Sequence, residues 1–412
     1  MVSITLNAFC LNRKIARIMI AAVAALLALG HVPNAPLAAS TVLPRLSPIL
    51  SIFGALTAGE WLGWLMLLGV PVLVLAFFKG RFFCWHLCPM GFVSETTGKL
   101  NPWGKGLARH VPKLNQILAL AIAATAACGY PIFIWLDPLC IFNGFFAVWR
   151  EPFTWAAAVT DIGFVTILVI SLIAPNAWCH RLCPLGGLQE FVMNLGRRIR
   201  QPKKTAAAPE PSALTASAAT RRTILALIPI VAARLGLKRA FGSGRKVIRP
   251  PGADLANFNA LCARCGNCMR ACPYKLIHPD LGESGPDGLF TPPIHLRSRN
   301  RDPEAEEYCF QDCVACTQVC PTGALRPLTV EEKHALPIGL AVVDHTKCIA
   351  WAKHEYCAVC DEYCPYQAIK LVDQDGVNCP IVDTDKCRGC GACEGACAAL
   401  PIAIVVQPRV LH

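Results

Sequence analysis

Sixteen of this chain's 24 cysteines fall into four closely spaced quartets within its last 150 or so residues, and no other feature restricts its architecture as much. Cys262, Cys265, Cys268 and Cys272 precede Pro273 in an uninterrupted C-x2-C-x2-C-x3-C-P run. Cys309, Cys313, Cys316 and Cys320 precede Pro321, and Cys348, Cys357, Cys360 and Cys364 precede Pro365. Cys387, Cys390, Cys393 and Cys397 make the last quartet, where Ala398 stands in place of the proline. Thiolates at this spacing hold a [4Fe–4S] cube, with three corners wrapped by one short loop and the fourth Cys reaching a neighbouring cluster. The proline keeps the loop from running on as helix. Zinc is the competing occupant, but it favours two separated Cys pairs around one ion. The chemistry implied is one-electron transfer.

Composition divides the chain. Hydrophobic residues make up 54% and charged residues 16% of its 412 positions, too apolar for an ordinary soluble protein. Residues 1–250 carry 25 Lys and Arg against 7 Asp and Glu, whereas residues 251–412 carry 14 against 20. The basic excess lies between apolar segments rather than in a folded basic surface, which argues against nucleic acid.

Those apolar segments are Ile18–Val32, Leu62–Phe78, Ile117–Trp135 and Ile162–Ala174. Lys and Arg in the intervening stretches alternate between rich and poor, the positive-inside pattern. The expectation is an α-helical membrane domain of four spans over residues 1–200, in a bacterial inner membrane with a cytoplasmic N-terminus. Ile49–Ala58 is too short to span and reads as an interfacial or re-entrant piece, and Asp161 as an N-cap. Residues 201–245 are an Ala/Pro/Ser/Thr-rich linker followed by Arg221-Arg222 and the apolar Thr223–Ala233. Two readings of that segment stand side by side. One is a twin-arginine export signal and fifth crossing; the other is a basic amphipathic helix on the cytoplasmic face. Residues 246–412 form the third region, an α+β domain with four [4Fe–4S] motifs.

A second cysteine pattern occurs twice, as Cys84-Trp-His-Leu-Cys88-Pro89 and Cys179-His-Arg-Leu-Cys183-Pro184. The repeat suggests a duplicated unit, and the two pairs together supply the four thiolates of one further cluster. A structural Cys-Pro turn and a partner-docking surface are the competing roles. His86 and His180 sit inside these motifs as ligands or quinone contacts, or as plain surface histidines. Cys10, Cys128, Cys140 and Cys379 fit no spacing pattern and read as unligated.

Among the quartets, the exchange of fourth ligands pairs Cys348, Cys357 and Cys360 with Cys397, and Cys387, Cys390 and Cys393 with Cys364. The first two quartets pair likewise: Cys262, Cys265 and Cys268 with Cys320, and Cys309, Cys313 and Cys316 with Cys272. A nested arrangement, second quartet with third and first with fourth, stays open at this point. The ligand set is the same in both.

Residues 1–200, with their apolar segments and paired C-x3-C-P loops, resemble the NapH-type membrane ferredoxin protein associated with periplasmic nitrate reductase. Residues 220–412 resemble its exported NapG-type partner and the methylamine-utilisation MauM-type ferredoxin. The resemblance rests on Cys316-Thr-Gln-Val-Cys320-Pro-Thr-Gly-Ala-Leu325, on Cys387-Arg-Gly-Cys390-Gly-Ala-Cys393-Glu-Gly-Ala-Cys397 and on the twin arginine. It implies a membrane-anchored relay from the quinol pool to a periplasmic oxidoreductase or cytochrome, with the ferredoxin part in the periplasm. No nucleophile–base constellation, phosphate loop or flavin fingerprint is present. The expected role is therefore electron transfer without substrate chemistry, at most as the quinol dehydrogenase subunit of a complex. An accessory factor that matures or reactivates a metalloenzyme, and a cytoplasmic-facing polyferredoxin, are the alternatives.

Overall fold

The computed structural model describes residues 2–29, 41–54, 56, 67–102, 110–127, 131, 133–148, 161–200, 246–285, 288–296 and 308–408. The twin arginine, the linker and Thr223–Ala233 lie outside the described residues. The chain divides into two compact units. The first takes residues 1–243 together with 259–265 and 321–323, and the second takes the rest of 244–412.

In the first unit the expected membrane domain is overturned. Among the described residues no helix is long and apolar enough to cross a membrane. Three of the expected spans form helices of 11, 13 and 12 residues, at Gly69–Lys79, Asn115–Ala127 and Ile162–Ile173. At 1.5 Å per residue these reach about 16 to 20 Å, well under the roughly 30 Å hydrocarbon core. The helix Val2–Leu29 has 28 residues, but Arg13, Lys14 and Arg17 lie along it. Arg17 is buried, pairs with Glu95 at 2.5 Å and lies over the Phe92 ring. This helix is therefore a packing element.

The short apolar helices instead surround a core of Ile49, Leu50, Met90, Ile122, Ile134, Leu139, Phe142 and Leu185. Each such side chain taken out of water contributes about 1.5 to 3 kcal/mol. Ile49–Phe53, expected at an interface, is a π-helical turn whose Ile49, Leu50 and Ser51 are buried in this core. Asp161 stands at the N-cap of Ile162–Ile173 but makes no side-chain cap bond.

The second unit is the α+β arrangement expected of the ferredoxin region. Strand β1 (Gly339–Val343) pairs antiparallel with β4 (Ile404–Pro408), setting Ala341 opposite Val406. Strand β2 (Ile369–Gln374) forms a hairpin with β3 (Val377–Val382), turned at Asp375-Gly376 with positive φ at both residues. Aspartate and glycine tolerate that conformation, which suits a two-residue hairpin. Neither two-stranded sheet is large enough to stand alone. The short helices Val359–Glu362 and Ala392–Ala396, which carry Cys360 and Cys393, pack on β2 and β4. Isolated bridges Ala253–Leu325 and Ile277–Ile294 tie the segments carrying the first two quartets within this unit.

Candidate metal centres

The two C-x3-C-P loops adopt matching geometry. In each, the second cysteine caps the following helix, Pro89–Lys99 or Pro184–Arg200, with proline first in the helix. Cys88 Sγ accepts from Gly91 N at 3.4 Å, and Cys183 Sγ accepts from Gly186 N at 3.4 Å. A Cβ at Gly91 would stand 2.6 Å from Cys84 O, and one at Gly186 2.8 Å from Cys179 O. Only glycine admits that close approach of backbone. Arg81 then ties the loops together, donating to Cys179 O at 3.2 Å and to Glu190 Oε2 at 2.7 Å.

The four thiols meet in the first unit. Burial pushes Cys84 up to about 12, and Cys179 adds to the rise. Cys88 and Cys183 are raised by burial and by the neighbouring loop cysteines. Cys88 and Cys183 are buried and Cys84 and Cys179 half-buried, and burial keeps all four protonated until a metal takes up the charge of the deprotonated sulfurs. Gln189 lies fully buried against Cys84, yet neither amide atom closes a hydrogen bond of ordinary geometry. Such an orphaned amide fits a group seated between the thiols. Cys84 and Cys179 also line a cavity of about 660 Å³, with Arg17, Arg81, Lys99 and His180 in its wall. Burial, followed by the charge of Arg81, lowers the His180 pKa, so this ring is held neutral. His86 stacks on Phe82 at 4.2 Å and bonds Phe82 O, away from that wall.

In the second unit, three further sets of thiols gather. Cys272 lies beside Cys313, and Cys316 is raised by burial and then by Cys309, Cys272 and Cys313. Cys360 is pushed to about 12 by burial, followed by Cys348, Cys357 and Cys397. Cys393 rises through burial and then through Cys390, Cys387 and Cys364. Each set thus takes its fourth member from the partner quartet of the sequential exchange. Backbone N–H groups point at several of these sulfurs: Ala341 N at Cys387 (3.5 Å), Ala368 N at Cys364 (3.3 Å) and Leu325 N at Cys320 (3.4 Å). Hydrogen bonds of this kind stabilise charge on cluster sulfur. Of the remaining quartet, Cys262 and Cys265 belong to the first unit and Cys268 and Cys320 to the second. Cys140 and Cys379 are buried in apolar cores.

Among the described residues no group of three or more His, Cys, Asp or Glu closes around a single metal ion. One ion needs its donors within about 2 to 2.3 Å, whereas a cube carries each thiolate on its own iron corner. The gathered thiols suit the cube.

Spatial order departs from sequence order. Cys309 N donates to Cys390 O at 2.9 Å, so the second quartet abuts the fourth. Tyr366 sits there half-buried, its pKa raised by burial and then by Cys390 and Cys309. Cys393 also feels Cys360 of the third set. The second set therefore touches the fourth, and the fourth touches the third.

Two family models match the chain. A 4Fe-4S binding domain covers residues 61–109 and 157–203, which contain the two C-x3-C-P loops, and a 4Fe-4S dicluster domain covers residues 261–324. The methylamine utilization ferredoxin-type protein MauM of Methylophilus methylotrophus is 40% identical over 176 residues, 40% of this chain and 72% of the relative. The chain belongs to the MauM–NapG family of ferredoxin-type proteins. The MauM protein of Methylobacillus flagellatus is 34% identical over 200 residues, 47% of this chain and 81% of its own length. The ferredoxin-type protein NapG of Escherichia coli K12 is 36% identical over 194 residues, 44% of this chain and 79% of its own length. No solved structure matches. As a family member, the chain is an iron–sulfur electron-transfer protein with [4Fe–4S] clusters.

Sequence reasoning found the thiols but missed the residues that dress them. Arg81, Gln189, Tyr366 and Lys333 carry no spacing signal. Gly91 and Gly186 were detectable, because each stands three residues after the second cysteine of its repeat.

Proposed function

We propose that the chain is a multi-cluster relay that accepts electrons at the C-x3-C-P loops and delivers them to a periplasmic oxidoreductase. The reading assigns four clusters to the sixteen quartet cysteines in sequential exchange and a fifth to Cys84, Cys88, Cys179 and Cys183. The observation that carries it is the gathering of thiols in sets of four: two pairs at the C-x3-C-P loops, and three sets in the second unit that each draw a fourth member from a partner quartet. Bound clusters supply one-electron transfer, and the chain's residues hold them in line and keep water from them. The Cys309–Cys390 backbone bond fastens the second site to the fourth. The third site, through Cys360 beside Cys393, then becomes one end of the line.

A quinol is the donor this reading puts first, because the cavity beside Cys84 and Cys179 is large enough for a small organic reductant. The resemblance of residues 1–200 to NapH-type proteins supports the same donor. Periplasmic placement of the ferredoxin part is supported by Arg221-Arg222, and a periplasm-dependent reporter fused after His412 tests it.

The test is an anaerobic preparation of the full chain assayed for iron and for reduction by a water-soluble quinol. About twenty irons per chain are expected. The Cys84→Ser and Cys179→Ser variants are expected to lose about four of these and to lose quinol-dependent bleaching. A yield clearly under sixteen irons in the unmodified chain would refute the four-cluster core. Full bleaching by quinol in both variants would refute entry at the loops.

A further inference from the structure

Lys333 is a buried charge beside the second quartet. It lies in the short helix Val330–Ala335, whose start is fixed by a capping box: Thr329 Oγ1 accepts from Glu332 N, and Glu332 Oε2 accepts from Thr329 N. The residue is 4% exposed. Its Nζ donates to Phe310 O and, at 2.7 Å, to Cys313 O. An ammonium has three donors. The third faces Cys309, where it opposes the upward push that burial exerts on that thiol.

Among the described residues Lys333 makes no ion pair with a carboxylate; Glu332 approaches Arg326, and Asp312 approaches His334. A buried ammonium held only by two carbonyls and a thiol carries an uncompensated charge, which is costly in a folded interior. An anionic cluster held by Cys309, Cys313, Cys316 and Cys272 would compensate it. Stacked rings of Tyr274, Phe310 and Tyr308 sit against the same loop and limit water.

We propose that Lys333 is a potential-setting residue, its fixed positive charge making the second cluster easier to reduce than it would be with thiolate ligands alone. The inference rests on the proposed four-cluster reading. Reduction adds one negative charge to the cluster, so a nearby cation favours the reduced form and raises the midpoint. The ammonium also bonds the carbonyls of the loop that abuts Cys390, so the second site becomes a low point for electrons where the two ferredoxin segments meet. Arg388, the cation beside Cys387, bonds to His334 O and Asp385 O and is far less enclosed.

The experiment is a redox titration of the anaerobically prepared full chain, followed by electron paramagnetic resonance. Lys333→Gln, Lys333→Arg and the surface control Lys370→Gln are compared with the unmodified protein. One midpoint is expected to fall in Lys333→Gln by at least a tenfold change in reduced-to-oxidised ratio at fixed potential, about 59 mV for a one-electron couple. Lys333→Arg and Lys370→Gln are expected to leave all midpoints near their original values. Unchanged midpoints in Lys333→Gln at full iron content would overturn the assignment. Should Lys333→Gln lose iron, the unmodified chain grown with 15N-lysine decides. A 15N coupling to a reduced cluster in electron–nuclear double resonance supports the assignment, and its absence refutes it. Absence of any reduced [4Fe–4S] signal in the unmodified protein would instead count against the four-cluster reading itself.

Discussion

Gly187→Ala, one methyl on the helix Pro184–Arg200, is expected to unseat the loop cysteines. Intrinsic propensity favours the substitution, since alanine gains about 1 kcal/mol over glycine inside a helix. Geometry opposes it. A Cβ at Gly187 would lie 2.1 Å from Asn115 O, 2.3 Å from Asn115 C and 2.8 Å from Gln116 N. All three are backbone atoms, so no side chain can swing away, and the helices would have to part by more than an ångström. Overpacking of this severity costs about 3 kcal/mol or more. Clash outweighs propensity, and a net loss of about 2 kcal/mol or more follows. The same shift reaches the metal site, because Gly187 N donates to Cys183 O at 3.0 Å and Gln189 follows two residues later. Gly395→Ala is the matched control: it lies in the helix Ala392–Ala396 with nothing within 4 Å of the added methyl. That variant should gain about 0.5 to 1 kcal/mol. Urea unfolding monitored by circular dichroism, with iron counted on the same samples, separates the two. A Gly187→Ala protein as stable and as iron-rich as the unmodified chain would refute the argument.

Two further outcomes follow from the first unit. Asp137 is fully buried, accepting from Ser47 Oγ, Leu139 N (2.9 Å) and Cys140 N (3.2 Å), and burial raises its pKa to about 6 despite those bonds. Because the folded value lies above the unfolded one, the stabilising contribution is full below pH 4 and is lost as pH rises through 6; it amounts to about 3 kcal/mol. Asp137→Asn should remove that part of the slope, as measured by urea midpoints between pH 4 and 7. Arg81→Met should cost about 2 kcal/mol by stranding Glu190, a figure discounted because the Glu190 side chain is 34% exposed. It should also deplete iron at the C-x3-C-P site in anaerobic preparations, whereas an unchanged iron count would contradict the role of Arg81 in joining the loops.

Much of the candidate site was legible because cluster ligation is local. A loop of ten or so residues wraps three iron corners, so the spacing of Cys262–Cys272 or Cys387–Cys397 is itself the geometry. The strands around the last two quartets were legible too, as short apolar runs such as Leu340–Val343 and Ile402–Val406. The membrane reading failed for a definite reason. Hydropathy measures how apolar a segment is, and a core helix of 11 to 13 residues in a cysteine-rich unit scores much as a clipped span does. Length after folding, and the polar partners of Arg17, separate the two.

The amino-acid sequence determined the cysteine spacing, the duplication of the C-x3-C-P loops and the membership of a ferredoxin-type family, since all three reside in short runs of side chains. Only the tertiary structure brought Cys272, Cys397 and Cys364 beside the thiols of their partner quartets and set Cys309 against Cys390. It alone brought Arg81, Gln189 and Lys333 to the thiols from positions with no fixed offset. Pairing and field depend on through-space distance between segments far apart in the chain, and a one-dimensional spacing does not carry that distance.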